Sequence, residues 1–200
     1  EAWFCGFRFM VGPGVLIPRP ETEELVEWVI SDCKFPLDAL SILDIGTGSG
    51  CIAVSLKRRL RKASVWACDL SPAALEIARK NATLMGAPID FAQLDFLDPA
   101  AREILRSFDI IISNPPYIPE EDKSTMHPNV LEHEPHLALF VPDNDALVFY
   151  RAIAAFGNTH LNPGGSIYTE IHENLGMATL QLFREAGYET ELKKDMQGKD

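Results

Sequence analysis

The sequence has no closely spaced pair of cysteines, no excess of basic charge and no long apolar run. Cys5, Cys33, Cys51 and Cys68 form neither a disulfide framework nor a zinc-knuckle spacing, which suits a reducing, cytoplasmic compartment. Lys and Arg number 18 against 29 Asp and Glu, a net charge of −11. Such a surface repels phosphates and anionic lipids at long range, so stable nucleic-acid binding is not expected. No apolar stretch reaches the roughly 18 residues that a membrane-spanning helix needs. No basic-then-apolar leader follows Glu1, so no signal peptide is expected. His127, His133 and His136 share no ligand spacing, and His133-Glu134-Pro135-His136 lacks the helical geometry of a zinc hydrolase, so no metal is expected. Internal repeats and low-complexity tracts are also missing.

What is there is a hydrophobic share of 46% in 200 residues, enough for one compact domain with a core. Trp3 to Val11 is aromatic and β-rich, Gly12-Pro13-Gly14 breaks it, and Val15-Leu16-Ile17 adds a short apolar piece. Residues 1–22 therefore read as a hairpin, flap or linker leading into a body over 23–200. Thr22 reads as a cap for a helix from Glu23 to Cys33, where Leu25, Val26, Val29 and Ile30 recur at helical spacing. Strands are expected at Ser41–Ile45, Val65–Cys68, Ile89–Ala92, Phe108–Ser113 and Ser166–Ile171, with a sixth beginning over Tyr188–Leu192. Helices are expected at Cys51–Leu60, Ala73–Leu84, Asp145–Phe156 and Leu175–Glu185. This alternation implies an α/β fold, a mostly parallel sheet with helices on both faces. Pro119 to Pro142 breaks the rhythm and reads as a lid.

Ligands in such sheets bind beyond the carboxyl ends of the strands. Asp44-Ile45-Gly46-Thr47-Gly48-Ser49-Gly50 leaves the first of these strands and opens a helix. Glycines there let a ligand lie against the backbone, and the helix start offers free amides. A dinucleotide fingerprint would need its third Gly or Ala where this chain has Cys51. Asp44 would disfavour a diphosphate and tolerate a cation, as in the amino-acid end of S-adenosylmethionine. Asp69, ending the second sheet strand, is placed to accept hydrogen bonds from both ribose hydroxyls. Asp95-Phe96, after the third, can address an adenine amino group and ring face.

Asn114-Pro115-Pro116-Tyr117 follows the most apolar strand. The Asn114 side-chain oxygen and the Pro115 carbonyl can each accept a hydrogen bond from one NH₂ group, with Tyr117 across its plane. This suits a planar nitrogen, either an amide or an exocyclic base amine. Holding both hydrogens aims the nitrogen lone pair at a methyl donor, and two partly negative oxygens stabilise the charge that develops on nitrogen.

These two motifs, with Leu16-Ile17-Pro18-Arg19-Pro20-Glu21-Thr22-Glu23 upstream, resemble the HemK/PrmC group, S-adenosylmethionine-dependent methyltransferases of peptide chain release factors. The resemblance implies a Rossmann-like class I methyltransferase fold. It also implies methylation of the side-chain amide nitrogen (N5) of the glutamine in the Gly-Gly-Gln loop of class I release factors, types 1 and 2. S-Adenosylhomocysteine would be the product. By that resemblance Gly46, Thr47, Gly48 and Gly50 line the methionine part of the cofactor, Asp69 its ribose, and Asp95 with Phe96 its adenine. Asn114 touches cofactor and substrate; Pro115, Pro116 and Tyr117 complete the glutamine pocket; Arg19 and Glu21 lie in a segment near it. The family is longer at both ends, so Gly198-Lys199-Asp200 would lead into a seventh strand that this chain stops short of. A monomer is favoured. The same asparagine-proline clamp serves methyltransferases of adenine in DNA or RNA and of a ribosomal-protein glutamine, which are the rival readings.

Other features have plainer readings. Cys51 reads as a packed, unreactive thiol and Trp66 as core. Lys57-Arg58-Arg59 with Arg61-Lys62 reads as a solvated face. Glu170 and His172, alternating at the end of the fifth sheet strand, reach the pocket rim in one reading and do nothing there in the other. Asp109 begins its strand with no chemistry assigned.

Overall fold

The computed structural model describes residues 1–33, 39–120, 123 and 134–194. Strands β1 (Ala2–Phe4) and β2 (Phe7–Phe9) form an antiparallel hairpin. Its turn places Cys5 and Gly6 at positive φ, 49° and 76°, as a tight hairpin needs. Phe4 and Phe9 are fully buried in the same core as the body of the domain.

Helix α1 spans Pro20–Asp32. Pro20 takes the first helical position, where a missing N–H costs nothing, and Arg19 is the residue before it. The expected cap at Thr22 is therefore corrected. Thr22 lies inside the first turn and is buried, and its hydroxyl serves a different partner. A domain boundary between residues 22 and 23 would fall within this helix.

Five strands form one parallel sheet: β3 (Ser41–Ile45), β4 (Ser64–Asp69), β5 (Asp90–Gln93), β6 (Phe108–Ser113) and β9 (Leu161–Thr169), in the order β5-β4-β3-β6-β9. Helices α2 (Cys51–Arg59), α3 (Pro72–Leu84) and α4 (Val148–His160) lie in the crossovers between strands, and α5 (Gly176–Glu185) follows β9. Both sheet faces are apolar. Ile42, Val65, Ile110 and Ile112 pack with α1, α2 and the hairpin, while Leu43, Ile45 and Ile111 pack with α4 and α5. That two-sided burial is why β3 and β6 read as unbroken apolar runs.

Asp109 has a structural duty. Its carboxylate accepts from the Ser41 amide (2.8 Å), the Ser41 hydroxyl (2.6 Å) and the Asn162 amide (2.8 Å). One side chain thereby ties β3, β6 and β9 together.

Several boundaries depart from expectation. Helix α4 starts at Val148 rather than Asp145, because 143–146 forms turns and Asp145 pairs instead with Arg151. It runs on through Gly157, where a Cβ would stand 2.4 Å from the Tyr188 hydroxyl oxygen. The fifth sheet strand begins at Leu161, ahead of Ser166, with an irregularity between Phe108 and Ile110 of its partner, and it ends at Thr169 rather than Ile171. Tyr188–Leu192 alternates as a strand should, yet forms none: among the described residues no strand lies along the outer edge of β9 to pair with it. Tyr188 instead donates its hydroxyl hydrogen bond to the Ala154 carbonyl. Val15-Leu16-Ile17 is likewise irregular. Of the expected lid, β7 (Ile118–Pro119) and β8 (Phe140–Val141) form a short parallel pair. His127 and His133 lie outside the described residues, as do Gly198-Lys199-Asp200.

Candidate active site

A cavity of about 540 Å³ opens at the carboxyl ends of β3, β4 and β6, within the roughly 300–1,000 Å³ usual for small-molecule sites. Ile45 to Ser49, Asp69, Asp95, Phe96, Asn114, Pro115 and Pro116 line it from the sheet side. Val15, Leu16, Pro18, Arg19 and Thr22 cover it from the segment entering α1, and Pro135, Ala138, Phe140 and Pro142 from the lid side.

The glycine loop is built from beneath. Asp44 is wholly buried under it and does not line the cavity. Its Oδ2 accepts from the Thr47 hydroxyl (2.6 Å) and the Ala53 amide of α2 (3.2 Å), which fixes loop and helix to the strand. Its Oδ1 is buried with no partner among the described residues. Burial pushes the Asp44 carboxyl up to about 7, against the lowering effect of those two hydrogen bonds. Gly46 and Gly48 have φ of 72° and 54°, and a Cβ on either would meet nothing within 4 Å. The room above them is a cradle that protein does not fill. Gly50 differs: at φ 80° it faces Ala78 of α3, 3.1 Å from a would-be Cβ.

Asp69 accepts from the Gly48 amide at 2.8 Å and the Ser71 amide at 2.9 Å, so it joins the glycine loop to the start of α3. Burial raises its carboxyl above the usual range. Asp95 accepts from the Leu97 amide at 2.9 Å. The Phe96 ring is buried edge-on against Phe156 with Arg102 beside it, so it walls the cavity from the core. The empty cradle and the acids at the β4 and β5 ends fit a nucleoside whose tail lies against the glycine loop.

Asn114 begins the turn after β6. Among the described residues no donor is bonded to the carbonyls of Asn114 or Pro115 or to the Asn114 side-chain oxygen. The amide nitrogen of Asn114 donates to the Thr22 hydroxyl at 3.0 Å. Thr22 in turn donates to Glu170 Oε2 at 2.6 Å, and the Tyr117 hydroxyl donates to Glu170 Oε1 at 3.0 Å. Arg19 pairs with buried Glu134 of the lid segment.

The structure thus gathers Gly46, Thr47, Gly48, Asp69, Asp95, Phe96, Asn114, Pro115, Pro116 and Arg19 on one cavity. Gly50, Tyr117 and Glu21 do not line it. Gly50 packs behind the loop, and Tyr117 stands behind the clamp with its ring against His172. Sequence reasoning missed Thr22 as a site residue because a Thr before an apolar periodic run signals a cap. Glu134 carried no readable signal. The plain reading of Cys51 agrees with its burial, which pushes the thiol up to about 12.

Residues 29–137 match the family model of the methyltransferase small domain. The release factor glutamine methyltransferase of Flavobacterium psychrophilum is 49% identical over 203 residues, covering all of this chain and 70% of that protein. The one from Bacteroides thetaiotaomicron is 48% identical over 200 residues, with the same coverage. The fold is shared with the ribosomal protein L11 methylase of Lactobacillus delbrueckii subsp. bulgaricus (TM-score 0.63, 22% identity, 90% of this chain and 75% of that one). It is also shared with a methyltransferase from Pyrococcus furiosus (TM-score 0.65, 19% identity, 92% and 79%). With that identity over its whole length and the class I methyltransferase fold, this chain belongs to the HemK/PrmC family of release factor glutamine methyltransferases.

Proposed function

We propose that the protein methylates the side-chain amide nitrogen of the glutamine in the Gly-Gly-Gln loop of peptide chain release factors, with S-adenosylmethionine as the donor. One observation supports this most. On the cavity wall, two adjacent carbonyl oxygens, of the Asn114 side chain and the Pro115 backbone, have no donor among the described residues. Two such acceptors match the two N–H groups of one primary amide.

The cradle over Gly46, Thr47 and Gly48 would hold the amino-acid end of the cofactor, with Asp69 taking the ribose hydroxyls and Asp95 the adenine amino group. When bound, S-adenosylmethionine supplies an electrophilic methyl group on a sulfonium and leaves as S-adenosylhomocysteine. Asn114 Oδ1 and the Pro115 carbonyl each accept one substrate N–H, which fixes the amide plane and directs the nitrogen lone pair into the cavity. Amide nitrogen is a poor nucleophile, and these two oxygens stabilise the positive charge it acquires. No strong base is required first, because the nitrogen becomes acidic once it is cationic and then releases a proton to water. Pro115 and Pro116 hold the turn rigid, having no N–H and a fixed φ. Tyr117 and Arg19 brace the walls.

Intact-mass and peptide-mapping analysis after incubation with S-adenosylmethionine and a class I release factor tests this. A single methyl gain on the Gly-Gly-Gln glutamine, abolished in Asn114→Ala, is expected. Methylation of an adenine-containing oligonucleotide or of a ribosomal-protein glutamine in its place would overturn the substrate assignment while keeping the clamp.

A further inference from the structure

We infer that Glu170 is a positioning residue which, through Thr22, sets which way the Asn114 amide faces. This rests on the proposed amide-methylating role of Asn114.

An asparagine amide has almost the same shape in either flip. One flip presents an acceptor to the substrate NH₂ and the other presents a donor to it, which is useless. Something must choose, and the surrounding hydrogen bonds are what chooses. The Thr22 hydroxyl has one proton, and it goes to Glu170 Oε2 at 2.6 Å. Thr22 can then offer Asn114 only a lone pair, and the Asn114 nitrogen donates to it at 3.0 Å. The Tyr117 hydroxyl spends its proton on Glu170 Oε1 at 3.0 Å. An ionised carboxylate only accepts, so every proton in the chain points toward Glu170 and the Asn114 oxygen is left for the cavity.

The fold fixes Glu170 for this task. Its backbone N–H donates to the Ser113 carbonyl at 3.0 Å, one residue past the β6–β9 ladder and beside Asn114. Its own carbonyl accepts from the Tyr150 hydroxyl of α4 at 3.1 Å. Thr22 comes from the first turn of α1. Three elements therefore meet behind one catalytic amide.

Glu170→Gln keeps the shape and replaces one acceptor with a donor. Thr22 can then turn its proton toward Asn114, and both flips become allowed. The expected result is a kcat on the release factor lower by roughly 10- to 100-fold, the worth of one hydrogen bond to a charged group. KM and the cofactor Kd, measured by calorimetry, stay near those of the wild type. Thr22→Val breaks the relay and gives the same kcat loss, whereas Thr22→Ser keeps a hydroxyl and restores most of the rate. A wild-type kcat in Glu170→Gln, or a Thr22→Ser no better than Thr22→Val, overturns the inference. Thermal midpoints identify a Glu170→Gln that fails to fold, in which case the Thr22 pair decides. If the wild-type protein transfers no methyl to a release factor, the function itself has failed. The orientation is then read without turnover, from hydrogen exchange of the Asn114 side-chain amide by ¹⁵N NMR. Protection in the wild type and Thr22→Ser that is lost in Thr22→Val upholds the positioning, and equal exchange in all three overturns it.

Discussion

At the scale of single residues, two desolvated carboxylates give opposite pH signatures. Glu170 has its carboxyl raised by burial, against the hydrogen bonds from Thr22 and Tyr117, and Glu21 raises it further. The groups facing this site are Glu21 and Arg19 from the α1 entry, Tyr117 after β6, Tyr150 on α4, and His172 past β9. As pH falls, Glu170 takes up a proton above the ordinary glutamate range of about 4.3. A protonated carboxyl must itself donate, so the relay to Asn114 fails. The expected outcome is a kcat that declines on acidification, with its midpoint above that ordinary value, and a limb that disappears in Glu170→Gln. A limb unchanged in that variant would assign it to another group.

Asp44 acts on stability. Its folded carboxyl sits at about 7, above an unfolded value of about 3.9. A raised acid stabilises the fold while protonated, so its contribution is present at low pH and is lost as pH rises between those two values. An asparagine at this position carries no charge to desolvate. Asp44→Asn should therefore gain stability relative to the wild type as pH climbs from about 5 to about 8, across the upper part of that window, measured by urea unfolding without cofactor. A difference independent of pH would mean that the carboxylate is not desolvated beneath the loop.

At the scale of elements, the loop between β3 and α2 separates two uses of glycine. Gly48 has a positive φ and open space above it, whereas Gly50 has a positive φ and Ala78 against it. Gly50→Ala meets both left-handed strain and crowding of α3, and should cost about 1–3 kcal/mol of stability. Gly48→Ala places its methyl in the cavity, so it should weaken cofactor binding by a larger factor than its stability loss explains. Calorimetry with S-adenosylmethionine beside thermal unfolding distinguishes them. Equal effects of the two variants on both measurements would refute this division.

Elements also show where sequence was readable. Ser41–Ile45 and Phe108–Ser113 were legible to the residue, since burial on both faces leaves an apolar run with sharp ends. The glycine loop and the Asn114 turn were legible because backbone chemistry ties them to strand ends. Thr22 was misread: cap preference is local, and nothing nearby reveals a partner 148 positions away. Tyr188–Leu192 had the pattern of a strand, but a strand exists only where a neighbour completes its ladder. The Arg19–Glu134 pair joins two irregular segments, whose meeting depends on tertiary geometry alone.

At the scale of the whole molecule, charge decides between partners that the clamp alone would accept. A net −11 opposes phosphate backbones, and the densest basic run does not compensate locally. Lys57 donates to the Arg61 and Ala63 carbonyls, Arg58 donates to the Met85 carbonyl, and Arg59 pairs with Glu27. These side chains fasten α2 to its neighbours, and Arg59, Arg61 and Lys62 are exposed, as the reading of that run as a solvated face expects. A protein that neutralises many phosphates loses on the order of 10³–10⁵ in affinity between 50 and 200 mM salt. Release factor methylation here should be indifferent to an excess of duplex or single-stranded oligonucleotide at either salt concentration. Inhibition at the lower salt that vanishes at the higher would expose a basic groove, and with it a nucleic-acid substrate for the Asn114 clamp.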